Sequence, residues 1–201
     1  MRSRIFLMFG FVLGLVLVVM FGSFILTSEY QYKGSRINPA SPAVDFHLID
    51  QDGNVFQLSQ QRGKVVVIFF GYTHCQDVCP MTLAQFKQLR LKLSEYSQVR
   101  FVFITVDPER DTSQVLKEYL SAFDPNLTGL NGSRIDLEKV WQEYGVTVTK
   151  TEGSSEENYG VEHSARIYVI DRKGNLQLTY PIGFETSGIL DDLNHLPRSV
   201  R

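Results

Sequence analysis

The stretch VVVIFFGYTHCQDVCP, residues 65–80, runs from an uninterrupted apolar segment directly into both cysteines of the chain, Cys75 and Cys79. A continuous apolar run of this kind predicts a strand that is buried on both faces of a sheet. Pro80 suits the first turn of a helix, because the N–H that proline lacks has no partner at that position. The stretch therefore predicts a strand, a cysteine loop and a helix in immediate succession.

The segments on either side extend this pattern into an α/β fold. Strands are predicted in a hairpin around Asp52-Gly53-Asn54, at 99–107, at 127–133 and in a pair around the turn 172–175. Helices are predicted at 81–97, 111–123, 134–146 and 186–196, with a polar loop at 149–162. This order predicts a thioredoxin-like sandwich with an N-terminal β-hairpin and a mid-chain insertion. Chemistry in open α/β folds sits at the carboxyl ends of strands, which is where the cysteines fall.

Composition narrows the class of protein. The chain has 201 residues and a formal net charge of −2, with no run of Lys or Arg, so we expect no nucleic-acid partner. Two cysteines are too few for a disulfide-stapled scaffold. The pair is therefore expected to serve chemistry rather than general stabilisation.

The N-terminal segment predicts a single transmembrane helix. Residues 5–26 contain no charged side chain, and an apolar run of about 20 residues is the length that crosses a bilayer. Arg2 and Arg4 precede it, which places the rest of the chain outside the cytoplasm. No transit-peptide pattern is present, so we expect a bacterial inner-membrane protein with a periplasmic domain. The predicted division is an anchor at 1–27, a polar linker at 28–41 and a soluble domain at 42–201.

A C-x-x-x-C motif at the start of a helix can direct two sulfurs to one point. The partial positive charge of a helix N-terminus favours thiolate, which is both a nucleophile and a metal ligand. The motif therefore supports a disulfide switch, a metal site or both. A purely structural disulfide is disfavoured, because closing so short a loop removes little entropy. Two thiolates and one imidazole would form a trigonal set suited to copper.

Four histidines are candidates for the third ligand, and position ranks them. His74 should point away from the sulfur pair, and His47 and His195 are expected on solvated surfaces. His163 lies just before the strand predicted beside residues 65–71, where thioredoxins carry a cis-proline. Position alone leaves its role open, because a lone histidine is more often structural.

Three motifs in order, GYTHCQDVCP, ITVDPERDT and YGVEHSARIYVIDRKG, resemble the Sco/SenC copper proteins from about Pro42 to His195. The resemblance implies that Cys75, Cys79 and His163 bind copper. It also implies a membrane-anchored chaperone that delivers copper to the binuclear copper site of cytochrome c oxidase subunit II. The chain departs from the family at Gln76, where proline is usual, and at Glu162, where aspartate is frequent.

Functions of three kinds remain open at this level, the third being a copper or redox sensor in the membrane. The first is copper delivery, which is not an enzymatic reaction. The second is a thiol–disulfide reductase in which Cys75 and Cys79 form the redox-active pair and keep the acceptor's cysteines reduced. The helix at 111–123 is expected to be capped by Asp111 or Thr112. Residues 107–110 are expected to form a turn with local ion pairs or a loop facing a partner.

Overall fold

The computed structural model describes residues 10, 14–16, 30–93, 98–155 and 158–196. It contains two units, residues 1–31 and 32–201, which we describe separately. In the first unit, residues 10 and 14–16 are helical, and the predicted membrane anchor otherwise lies outside the described residues. Within the ranges given above, no helix has both the length and the apolar character needed to cross a membrane.

The second unit is built on a mixed sheet. Over the described ranges eight strands join it: β1 Ser35–Pro42, β2 His47–Asp50, β3 Val55–Gln57, β4 Val65–Gly71, β5 Val99–Thr105, β6 Thr128–Asn131, β9 Arg166–Ile170 and β10 Asn175–Pro181. Their order is β1-β10-β9-β4-β5-β6-β2-β3. Strand β4 is parallel to β5 and β5 to β6, whereas β9 runs antiparallel to β4. The remaining two strands, β7 Val148–Ser155 and β8 Asn158–His163, pair with each other in a separate hairpin.

Strand β4 is the central strand, and its residues are buried on both faces as the apolar run predicts. Val65, Val67 and Phe69 face one core cluster, which also holds the buried side of the helices α1 Val78–Lys92, α2 Ser113–Phe123 and α4 Thr186–His195. Val66, Ile68 and Phe70 face a second cluster beneath the helix α3 Arg134–Glu143. The alternation follows from the two-residue period of a strand.

Local signals in the sequence account for most element boundaries. The α2 helix is capped by Thr112, whose hydroxyl accepts a hydrogen bond from Val115 N–H, and Ser133 caps α3 in the same way. Gly145 follows α3 with φ of 66°, a value that favours glycine. The predicted hairpin at 52–54 and the turn at 172–175 are both present. The predicted helix at 81–97 instead begins at Val78 and ends at Lys92.

The prediction of a loop at 149–162 is wrong. The segment forms most of the hairpin β7–β8, with Thr149 opposite Glu162 and Thr151 opposite Gly160. A hairpin that stands outside the main sheet has one face in solvent, so its sequence is polar and lacks a long apolar alternation. The two strands are held together by backbone hydrogen bonds, which cannot be recognised from amino-acid composition.

The prediction of a linker at 28–41 is also wrong for its last residues. Residues 35–42 form β1, which pairs with β10 at the edge of the sheet. Just before it, the backbone N–H groups of Lys33 and Gly34 donate to the carboxylate of Asp192, which is buried in α4. An edge strand buries few side chains and takes polar residues, so its sequence resembles a tether.

Candidate metal centre

Both cysteines lie where β4 gives way to α1. The chain turns after Gly71, and the backbone N–H of Cys75 donates to the carbonyl of Tyr72 at 3.3 Å. Cys79 is the second residue of α1 and is fully buried, whereas Cys75 lies in the preceding loop and is half-buried. The backbone N–H of Cys79 donates to Cys75 Sγ at 3.5 Å. The turn therefore links the Cys75 sulfur to the backbone of Cys79, although only Cys79 belongs to the helix.

The absence of a side chain at Gly71 makes room for this arrangement. A Cβ at that position would lie 2.8 Å from Cys79 Sγ and 2.8 Å from the ring of Phe103. Real Cβ atoms do not approach other atoms so closely. The end of β4 thus passes directly beneath the buried sulfur, and only glycine permits it.

The two thiols differ strongly in acidity. A hydrogen bond from the Cys79 side chain, together with backbone N–H groups of the helix start, lowers the pKa of Cys75 to about 5. The same hydrogen bond and burial raise the pKa of Cys79. One proton is therefore held between the sulfurs, on the Cys79 side. At neutral pH Cys75 is the thiolate, and it is also the more exposed of the two.

The third predicted residue, His163, is the last residue of β8 and is half-buried. Its ring packs against Tyr72 and Phe69, with ring centroids 6.1 and 6.5 Å away. Nδ1 lies 3.2 Å from the carbonyl oxygen of Ser164, and because a carbonyl only accepts, Nδ1 carries the proton. This leaves Nε2 with its lone pair available for a metal.

His163 and Cys75 also interact electrostatically. Burial lowers the pKa of His163, while the negative charge of Cys75 opposes that shift. The imidazole in turn favours the Cys75 thiolate. The structure thus packs His163, at the end of β8, against Tyr72 of the β4–α1 loop. Two sulfurs and a neutral imidazole are ligand types that suit a soft metal such as copper(I).

The other histidines lie elsewhere, as their positions predict. His47 is exposed on β2, and His195 is exposed at the end of α4 with Nδ1 2.7 Å from the carbonyl of Asp191. His74 is exposed beside Asp107 and Asp111, and the potential ligand atoms of these three residues lie within 4.8 Å of one another.

Of the two residues predicted to cap α2, Thr112 is the cap, and Asp111 has another role. Asp111 is fully buried and accepts hydrogen bonds from the hydroxyls of Thr73 and Thr105, both at 2.6 Å. Burial raises the pKa of its carboxyl. Thr73 is two residues before Cys75, so Asp111 anchors the cysteine loop from beneath. The sequence offers Asp111, in the motif ITVDPERDT, as a possible functional acid. It gives no indication that Thr73 is the partner of this acid.

Sheet order, helix placement and the thiol–imidazole group define a thioredoxin-like α/β protein with a candidate metal centre at the carboxyl end of its central strand. The chain belongs to the SCO1/SenC family, whose model matches residues 35–197. The predicted resemblance to this family is therefore confirmed.

Individual relatives agree with this assignment. An SCO2-like protein of Rickettsia felis is 38% identical over 132 residues, which cover 65% of this chain and 64% of the relative, slightly less than two thirds of its length. The copper-bound structure of Bradyrhizobium japonicum ScoI has a TM-score of 0.71 and 37% identity, covering 78% of this chain and all of that one. BsSco, a member of the Sco family of cytochrome c oxidase assembly proteins with a disulfide switch, has a TM-score of 0.64 and 25% identity over 82% of this chain and 96% of its own.

Proposed function

We propose that this chain is a copper chaperone that holds copper on Cys75, Cys79 and His163 and passes it to the binuclear copper site of cytochrome c oxidase subunit II. The observation that carries the proposal is the packing of the His163 ring, at the end of β8, against Tyr72 in the loop that carries the cysteines. Family membership and the copper found in the Bradyrhizobium relative support it.

The geometry suits the transfer of a metal better than its permanent storage. Cys79 is buried and His163 is half-buried, whereas Cys75 reaches partly into solvent. An acceptor thiolate can therefore approach the metal from the Cys75 side and replace the ligands one at a time. A three-coordinate site leaves room for such an incoming ligand, so that no bare ion is released.

The proposed place of action is the periplasmic face of a bacterial inner membrane, with residues 1–27 as the anchor. This part of the proposal rests on the apolar run 5–26 and on Arg2 and Arg4 before it. Anchoring would hold the copper site near an acceptor that is itself a membrane protein, and would raise its local concentration.

An anaerobic copper(I) titration tests the ligand set. The full-length reduced chain, kept in detergent micelles, competes with a coloured copper(I) chelator. We expect one copper ion per chain, and His163→Ala should lower the affinity by at least about tenfold. His195→Ala is the matched control, because it removes an exposed imidazole at the end of α4. Equal affinities of wild type and His163→Ala would exclude the three-ligand site.

Transfer is tested separately with the soluble domain of an oxidase subunit II as acceptor. Mixing it with the copper-loaded chain should develop the absorption of the binuclear copper centre, whereas Cys75→Ser and Cys79→Ser chains should carry no copper to deliver. Copper that binds tightly but never reaches this acceptor would contradict the delivery role and leave the metal site intact.

The unequal thiols favour a second candidate function, a thiol–disulfide reductase. The Cys75 thiolate would attack a disulfide of the acceptor, forming a mixed disulfide and releasing one acceptor thiolate. Cys79 would then attack Cys75 Sγ, release the second acceptor thiolate and pass its proton to it. Two electrons reach the acceptor, the chain ends as a Cys75–Cys79 disulfide, and an external dithiol must reduce it again.

His163→Ala separates the two candidates. Reduction of an acceptor disulfide needs only the two thiols, so the variant should keep that activity while it loses copper affinity. A chain that reduces the acceptor but binds no copper would make the reductase the principal function.

A further inference from the structure

We infer that residues 107–111, between β5 and α2, hold the two halves of the copper site in position relative to each other. We call this segment the clasp loop. Its Asp111 anchors the cysteine loop, and its Asp107 and Arg110 anchor the hairpin that ends in His163. The inference rests on the proposed copper function and adds positioning residues that contact no metal.

The first contact of the clasp loop is with the cysteine loop. The Asp111 carboxylate accepts from the backbone N–H of Thr73 at 3.2 Å and from its hydroxyl at 2.6 Å. A third donor, the hydroxyl of Thr105 at the end of β5, lies at 2.6 Å. Because Asp111 is fully buried, each of these bonds is costly to break. They tie the chain two residues before Cys75 to a strand of the central sheet.

The second contact is with the hairpin β7–β8. Asp107 is fully buried; one carboxylate oxygen accepts from Arg110 Nε and the other from the hydroxyl of Tyr159, both at 2.5 Å. Arg110 Nη1 donates to the carbonyl of Tyr159 at 2.9 Å, and its guanidinium lies 3.7 Å from the centre of the Tyr159 ring. The hydroxyl, the carbonyl and the ring of Tyr159 are therefore all in contact with the clasp loop. Tyr159 lies four residues before His163 in the same strand.

These contacts matter because the hairpin pairs with no strand of the main sheet in the part of the chain the structure describes. No backbone ladder sets the position of β8 relative to β4. Beside the clasp loop, the ring of Tyr72 packs against that of His163 with centroids 6.1 Å apart, and Val161 is buried in the second core cluster. His163 itself lies three residues before β9, which pairs with β4, so the chain connection limits its position. The contacts of Asp107 and Arg110 with Tyr159 add a side-chain restraint on the strand that carries it.

The test uses two variants of different severity. Arg110→Gln removes the charge that bridges Asp107 and Tyr159, and Tyr159→Phe removes one hydroxyl and keeps the ring. In the full-length chain we expect both to lower copper(I) affinity, Arg110→Gln by about tenfold or more. In the copper(II) form, the nitrogen hyperfine coupling of His163 should weaken in the electron paramagnetic resonance spectrum, whereas the sulfur-to-copper charge-transfer absorption should persist.

Arg134→Gln is the matched control. Arg134 Nη1 pairs at 2.9 Å with Glu109, which lies in the clasp loop, but the two side chains are 40% and 45% exposed. Its removal should leave the copper affinity and both spectra unchanged. If Arg134→Gln and Arg110→Gln lower the copper affinity equally, any disturbance of the loop is enough to weaken copper binding. This result would overturn the inference.

A double-mutant cycle shows whether each residue of the clasp loop affects copper affinity through His163 or through the cysteine loop. In a His163→Ala background, Arg110→Gln should cause no further loss of affinity, because it acts through His163. Asp111→Asn should still lower affinity there, because it acts through the cysteine loop. Additive losses for Arg110→Gln, or normal affinity in both Arg110→Gln and Tyr159→Phe, would refute the clasp. If His163→Ala itself binds copper normally, the ligand set fails, and the clasp fails with it.

Discussion

The backbone N–H of Cys79 donates a hydrogen bond to the sulfur of Cys75, with N and Sγ 3.5 Å apart. Cys79 is the second residue of α1, so this N–H is one of the groups at the helix start that have no partner within the helix. Asp77, the residue at the N-cap position, makes no side-chain cap hydrogen bond. The Cys75 sulfur therefore takes part of the role of a cap and gains acidity from it.

The acidity of Cys75 predicts a pH profile for its reactivity. With a pKa of about 5, the thiolate predominates above pH 5, and alkylation by iodoacetamide should slow roughly tenfold for each pH unit below that value. Mass spectrometry of the reduced chain would locate the label on Cys75. Cys79→Ala removes the leading cause of the shift, so its midpoint should move upward, toward that of an ordinary thiol. A wild-type midpoint above pH 8 would contradict the assignment.

Substitution of Gly71 should disturb the buried sulfur directly. In Gly71→Ala the new Cβ would meet Cys79 Sγ and Phe103, each 2.8 Å away, so we expect overpacking to cost about 1–3 kcal/mol and copper affinity to fall. Gly129→Ala is the control, because its Cβ would meet Leu120 at 2.4 Å, away from both cysteines. It should lose stability in urea titrations and keep its affinity. Normal copper binding by Gly71→Ala would disprove the close approach.

The link between the N-terminal end of the domain and α4 should be measurable as stability. Asp192 is fully buried and accepts from Gly34 N–H at 2.8 Å and from the Tyr180 hydroxyl at 2.9 Å. Because Asp192→Ala leaves these donors without a partner, we expect a loss of about 1–3 kcal/mol in the free energy of unfolding. Asp191→Ala is the control: it breaks an exposed ion pair with Lys33 and should leave the urea midpoint almost unchanged.

The single tryptophan of the chain should contribute more than apolar area. Trp141 is buried in α3, and its Nε1–H donates to the carbonyl of Thr105 at 3.1 Å. Trp141→Phe keeps a ring but leaves that carbonyl unpaired, so we expect a loss of about 1–3 kcal/mol in urea titrations followed by circular dichroism. Ile135→Ala in the same helix removes an exposed side chain and should change stability little. Equal stability of Trp141→Phe and wild type would show that the hydrogen bond contributes nothing.

The central part of the fold is predictable from the sequence because its signals are local. The apolar run at 65–71 admits one placement, in the middle of a sheet, and Gly53, Gly145 and Gly174 mark turns where φ is positive. The prediction fails at the hairpin β7–β8 and at β1. Both are paired mainly by backbone hydrogen bonds and expose much of their polar side chains, so neither leaves a hydrophobic period to detect.

The same distinction applies to the site. Sequence alone placed Cys75 and Cys79 together, because three residues and a helix start bring them together through local geometry. It could only nominate His163, and it missed the contacts of Asp111 with Thr73 and of Arg110 with Tyr159. Those pairs are separated by 38 and 49 residues, and a contact over such a distance depends on how strands and helices pack. Local chemistry was thus determined by the sequence, whereas the packing of His163 beside the cysteine loop was decided by the tertiary structure. Burial and hydrogen bonds between distant segments together offset the entropy that the chain loses there.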